Sequence, residues 1–226
     1  MVNINGVDMS HHNTQEQFLE YIRDIDTEFF ILKATEGKTY QDAKFHSRAM
    51  RVQAEGKLLG AYHYARPENN LAKEDAKNFL NQVKRYKGQI LLALDWEGNC
   101  WKKSEYTEWA AEWLSIVTNE MEQMPVVYTS QAYATHNNLD DLADIGYRLW
   151  VARWGFSPDI GELGKWGEPL LWQHTNTPLD RDTFYGDVEA WSDYCRGTIP
   201  TDKEENGNMY CGCCCCKAGK IDGSTR

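Results

Sequence analysis

Seven short apolar runs alternate with longer stretches whose apolar residues recur every three or four positions. The runs are Val2–Asp8, Phe29–Thr35, Leu58–Arg66, Ile90–Glu97, Pro125–Ser130, Leu149–Trp154 and Leu170–Thr175. They are rich in Val, Ile, Leu, Tyr and Phe, and several are bounded by Gly or Pro, so they predict strands. The intervening periodicity predicts helices over Thr14–Ile25, Ala43–Glu55, Leu71–Tyr86 and Ser104–Met121. Ser104 is placed to cap the last of these, and Trp109, Trp113, Ile116 and Val117 keep one face of it, which reads as core. Gly56 follows Glu55 where a left-handed cap would end the second helix.

Strands alternating with helices of this length imply parallel pairing through crossovers. The expected fold is α/β: an irregular TIM-like β/α barrel, one domain with a short cysteine-rich C-terminal tail. A doubly wound open sheet is the alternative. Gly6-Val7-Asp8-Met9-Ser10, after the first strand, lacks the glycines of a phosphate-binding loop. Beyond Cys195 large aliphatic side chains almost vanish. Residues 1–196 therefore read as the folded domain and 197–226 as a disordered tail.

Composition narrows the function. With 24 Lys+Arg against 34 Asp+Glu and no basic stripe, nucleic acid is not an expected partner. The longest apolar run, Ile90–Leu94, is too short for an integral membrane segment, which needs about 20 residues. The opening residues show neither a basic cluster nor an apolar stretch, so no secretory signal is read there. Cys211, Cys213, Cys214, Cys215 and Cys216 crowd the tail without the separated pairs of a zinc site. A soft metal ion, intermolecular disulfides, lipid attachment and no role at all stay open for them. No other His/carboxylate pattern suggests a catalytic metal, and no cofactor is implied.

The strongest chemical signal is Ala93-Leu94-Asp95-Trp96-Glu97. In a strand Asp95 and Glu97 share one face. Two carboxyls on one side of a buried strand repel and lose hydration, so at least one pKa rises. A protonated carboxyl beside an ionised one is what glycosidic cleavage requires. At the carboxyl end of a barrel strand the pair would face the usual active-site mouth. Asp8 ends the first strand and Asp180 lies near the last; in a closed barrel both can face that pair. Taken singly, each of these acids also fits a cap or a loop ion pair.

The ordered set Gly6-Val7-Asp8-Met9-Ser10, Phe30–Gly37, Gly60–Arg66, Leu92–Glu97, Val127–Ser130 and Leu149–Arg153, completed by Trp172-Gln173 and Leu179-Asp180, resembles the lysozymes of glycoside hydrolase family 25. These are the N-acetylmuramidases of many bacteriophage endolysins and bacterial autolysins. The resemblance covers residues 3 to 194. It implies that Glu97 is the general acid/base and that Asp95 orients the substrate's N-acetyl group or stabilises the developing cation. Asp8 and Asp180 are then the flanking acids. The implied reaction is hydrolysis of the β-1,4 bond between N-acetylmuramic acid and N-acetylglucosamine in peptidoglycan, with net retention by substrate assistance. The implied setting is a monomer made in the bacterial host cytoplasm that reaches the wall after holin-assisted release.

Two departures stand out. His11-His12-Asn13 replaces the Trp that usually follows the first Asp-x-Ser, and the segment from His174 to Leu179 is short, which makes Asp182 a competitor of Asp180. Tyr62, Tyr128, Trp154 and Gln173 match cleft positions of the family, with core packing open for each. Lys33 needs a buried partner such as Glu36 or a cleft acid, and His63 reads as a satisfied barrel histidine. A non-catalytic glycan-binding module and a hydrolase of another glycan, such as chitin, are the rival readings.

Overall fold

The computed structural model describes residues 2–100, 102, 105–135, 139–155 and 160–197. The cysteine cluster Cys211–Cys216 and Ser104 lie outside them. In chain order the elements are β1 (Ile4–Met9), α1 (Gln15–Arg23), β2 (Phe29–Glu36), β3 (Tyr40–Gln41), α2 (Phe45–Ala54), β4 (Leu58–Tyr64), α3 (Ala72–Val83) and β5 (Ile90–Asp95). There follow α4 (Tyr106–Met121), β6 (Val126–Ser130), α5 (Gln131–Ala134), α6 (Asp140–Ile145), β7 (Arg148–Ala152), β8 (Leu171–Thr175), β9 (Arg181–Phe184) and α7 (Val188–Cys195).

The sheet runs β1-β9-β8-β7-β6-β5-β4-β2 and closes through a β1–β2 pairing, so eight strands form a barrel and β3 hangs on β2 as a hairpin. Strands β1, β2 and β4 to β8 pair in parallel. β9, at which the sequence predicted no strand, is antiparallel to both β8 and β1 and makes the barrel irregular. Only residues 176–180 link β8 to β9, far fewer than the dozen or more a parallel crossover needs.

The capping chemistry is local. Thr14 Oγ1 accepts from Gln17 N at 3.1 Å while Gln17 Oε1 accepts from Thr14 N at 2.8 Å, a reciprocal box that starts α1. Helix α4 starts instead after Glu105, with no side-chain cap. Gly56 takes the expected left-handed conformation at φ +70°. Among the described residues no helix is long and apolar enough to cross a membrane.

Two apolar layers result from strands buried on both faces. The outer one packs Phe18, Phe30, Leu32, Phe79 and Trp113 between helices and barrel. The inner one holds Ile4, Phe29, Ile31, Leu91, Ala93, Val126, Leu171 and Phe184. Trp191 of α7 stacks on Phe29 at 4.8 Å and meets Phe184 edge-on at 5.1 Å. Phe29 opens β2, so α7 seals the floor of the barrel and leaves the carboxyl ends of the parallel strands as the open end.

The period-two alternation then decides what lines the mouth. Continuing the inward positions up each strand leads from Ile4 through Gly6 to Asp8, from Ile31 to Lys33, from Leu91 through Ala93 to Asp95, from Val126 to Tyr128 and from Leu171 to Gln173. On antiparallel β9 the order reverses, from Phe184 to Asp182. The barrel is apolar at its floor and acidic at its mouth.

Candidate active site

At that mouth lies a cleft of about 250 Å³. Its lining includes all eight residues singled out from the sequence: Asp8, Tyr62, Asp95, Glu97, Tyr128, Trp154, Gln173 and Asp180. Trp150 and Asn176 line it as well. Trp150 sits in a quoted motif and at an inward strand position, which is the signal that could have found it. Asn176 lies in the β8–β9 hairpin, where no periodicity marks it.

β5 ends at Asp95, so Glu97 stands two residues past the strand rather than in it. The chain nevertheless stays extended. Trp96 N donates to Tyr128 O at 2.8 Å, and Thr129 Oγ1 donates to Trp96 O at 2.8 Å. These bonds turn Trp96 outward against Trp109 and leave Asp95 and Glu97 together on the cleft side. Gly98, at φ +63°, turns the chain away; a Cβ there would lie 2.7 Å from the Tyr64 hydroxyl.

Gln173 organises the opposite wall. Its Nε2 donates to Asp8 Oδ2 at 2.7 Å, while its Oε1 accepts from Tyr128 OH at 3.0 Å and Trp154 Nε1 at 3.1 Å. The indole of Trp154 is thus held at its polar edge, yet the side chain is 60% exposed. Asp180 is half-buried and lines the cleft. Asp182 is fully buried behind it, where its Oδ1 accepts from Trp150 Nε1 at 2.8 Å. Of the two candidates, Asp180 is therefore the one that reaches the opening.

Burial dominates the electrostatics. It raises the Asp8 carboxyl to about 8, helped by the Asp180 charge and opposed by the Gln173 hydrogen bond. Burial and the neighbouring Glu97 hold Asp95 well above the carboxylate range. Burial and Asp8 do the same for Asp182, and burial raises Asp180. Glu97 is also raised by burial, but Lys33 and Arg66 pull it back. So many carboxyls in one mouth cannot all ionise, and protons stay within the cluster at neutral pH. Burial likewise keeps the hydroxyls of Tyr62 and Tyr128 protonated as donors.

Lys33 has the partner its sequence position demanded. Its Nζ donates to Glu36 Oε2 at 2.6 Å, and Arg66 grips Glu36 Oε1 through Nε at 2.9 Å and Nη2 at 2.5 Å. Both cations lie over the Tyr64 ring, at 4.8 and 4.6 Å from its centroid. His63 is satisfied in the outer layer. Nδ1 lies 2.7 Å from Thr35 Oγ1 and Nε2 lies 3.2 Å from Asp75 Oδ2, while the ring stacks on Trp113.

Such a cleft can give a proton, hold a second carboxyl beside it, and stack a sugar on an exposed indole. The family model described as Glycosyl hydrolases family 25 matches residues 7–182. The chain belongs to glycoside hydrolase family 25. It is a glycoside hydrolase of the lysozyme type. The chain is 29% identical over 212 residues to an Escherichia coli protein named Uncharacterized protein YegX, covering 88% of this chain and 75% of that one. The family 25 lysozyme of Aspergillus fumigatus superposes with a TM-score of 0.76 at 25% identity, covering 87% of this chain and all of that one. A muramidase from Trichobolus zukalii superposes with a TM-score of 0.73 at 26% identity, covering 86% and 100% respectively. The family 25 match spans β1 to β9, the strands that carry the acids of the mouth.

Proposed function

We propose that this family 25 enzyme hydrolyses peptidoglycan at the β-1,4 bond between N-acetylmuramic acid and N-acetylglucosamine. The observation that carries the reading is the pairing of Glu97 with Asp95 on one extended segment. Glu97 is half-open to the cleft, and burial raises its carboxyl above the ordinary range. Asp95 is buried, and among the described residues its Oδ1 has no hydrogen-bond partner. A buried acceptor without a donor is costly unless a ligand supplies one. The N–H of a 2-acetamido group is such a donor.

In the proposed first step the Glu97 carboxyl gives its proton to the glycosidic oxygen. The C1–O bond breaks as the substrate's acetamido oxygen bonds to C1. Asp95 holds the acetamide N–H through its free Oδ1, and the negative charge in the acidic cluster stabilises the positive charge that develops on the ring. In the second step water attacks C1, the Glu97 carboxylate takes its proton, and the C1–acetamide bond opens. Two displacements at one carbon leave its configuration unchanged. Asp95 and Glu97 project from the same side, so neither is placed as a nucleophile across the sugar from the other, and the substrate itself fills that role. Asp8 and Asp180 hold the acidic field around the pair, and Trp154, Tyr62 and Tyr128 offer an apolar face and hydroxyl donors to the sugars.

Mass spectrometry of borohydride-reduced fragments from digested peptidoglycan tests the bond. The expected product carries reduced muramic acid at its new end. Reduced glucosamine there would overturn the assignment.

A further inference from the structure

A second group of rings sits across the mouth from Trp154, and the reaction proposed above does not use it. His11 and His12 follow β1, and Tyr40 lies in β3, so all three stand at the open end beside β1 and β2. The barrel order β1-β9-β8-β7-β6-β5-β4-β2 puts these strands opposite β7, after which Trp154 comes. The His11 and His12 rings lie 3.9 Å apart, and Tyr40 is 5.6 Å from His11. Tyr40 is 39% exposed, His11 is partly exposed and His12 exposed.

This ledge is tied down from beneath. Asp42 Oδ2 is buried and accepts from His11 N at 2.7 Å; it also lies 3.2 Å from His11 Nδ1. The Tyr40 hydroxyl lies 2.8 Å from the same Nδ1. Lys44 Nζ donates to the carbonyls of His11 and Asn13, both at 2.8 Å. Arg48, also buried, donates to the carbonyls of Ser10 at 2.8 Å and Asn13 at 2.7 Å. Asn78 Nδ2 holds Tyr40 O at 2.9 Å. Buried charges and an amide thus fix the backbone under rings that are left in water. A surface ordered before its ligand arrives loses less freedom on binding.

A chain of contacts links the ledge to the cleft. Lys33 Nζ lies 5.7 Å from the Tyr40 ring centroid and 4.8 Å from that of Tyr64, whose hydroxyl adjoins Gly98, next to Glu97. Flat rings with polar edges suit the C–H faces and hydroxyls of pyranoses.

We propose that His11, His12 and Tyr40 form a distal sugar subsite that holds the glycan strand beyond the units flanking the cut bond, on the side away from Trp154. The proposal rests on the glycan-hydrolase reading of the cleft. It makes the enzyme prefer long strands over short fragments.

The test compares kcat/KM on long uncrosslinked glycan strands with kcat/KM on the shortest fragment that is cut. For the Tyr40→Ala/His12→Ala protein the long-to-short ratio is expected to fall about tenfold, through KM. His12→Ala alone removes a ring that touches the ledge neighbour His11 and whose side chain makes no hydrogen bond among the described residues, and is expected to lower the ratio a few-fold. An unchanged ratio in both proteins, or an equal loss on both substrates, overturns the subsite. Glu97→Gln run alongside separates the two claims: if it still cuts, the reaction assigned to the cleft fails, whatever the ledge variants do.

Discussion

Gln173 Nε2 donates to Asp8 Oδ2 at 2.7 Å, linking residues 165 positions apart in the chain. The same side chain accepts from Tyr128 and Trp154, so one amide sets the position of an acid, a phenol and the exposed indole. Gln173→Leu keeps the bulk and removes all three bonds. It is expected to lower kcat/KM by about ten- to a hundredfold, since small misplacements at a reacting centre cost that much. Steady-state kinetics on soluble peptidoglycan fragments checks this; a change below twofold would show that the amide does not position the cleft.

Asp8 ties stability to pH. The folded protein holds its proton up to about pH 8, against 3.8 for the free side chain. Between those values the unfolded chain has released the proton and the folded one has not. Stability therefore falls as pH rises through that window, and the penalty is absent below about pH 4. Asp8→Asn removes the group. Thermal melts from pH 5 to 8 are expected to show a wild-type loss on the order of a few kcal/mol that is visibly smaller in Asp8→Asn. Parallel curves for the two proteins would mean that Asp8 is not the buried proton carrier.

Lys33 acts on the reacting acid from the other side. Its charge lowers Glu97 against the upward push of burial. In Lys33→Met the Glu97 proton is retained to higher pH, so the alkaline limb of the kcat/KM profile is expected to move upward. A downward move, or none, would contradict the electrostatic link.

Gly6 tests the packing that brings β1 against β2. A Cβ at this position would lie 2.3 Å from the Phe29 ring and 2.4 Å from its carbonyl oxygen. Neither the ring, stacked on Trp191, nor the backbone can move aside cheaply. Gly6→Ala is expected to cost at least about 2 kcal/mol in denaturant melts. A loss under 0.5 kcal/mol, within the range of a neutral surface change, would show that the two strands tolerate separation.

The barrel was legible because its strands are apolar on both faces. Phe29–Thr35 and Ile90–Leu94 cannot be loops, and the helices between them carry plain periodicity. β9 escaped because its four residues are Arg181, Asp182, Thr183 and Phe184, and the inward position Asp182 is a carboxyl whose Oδ1 is held by Trp150, a partner 32 residues away. No local pattern announces such a strand. Helix α7 carried fair signals, with Asp187 capping Ala190 N and Trp191, Tyr194 and Cys195 on one buried face, but it was too short to stand out. At the mouth, the acids were readable from their place at strand ends. The path of Glu97 was not, since it depends on Trp96 bonding to Tyr128 after β5 has ended.

The central claim is that Glu97 supplies the proton that breaks the glycosidic bond. Glu97→Gln keeps the shape and removes the acid. Release of reducing ends from purified cell walls is expected to fall by about 10²- to 10⁴-fold, while the protein still folds and still binds the walls. Release at the wild-type rate would contradict the account.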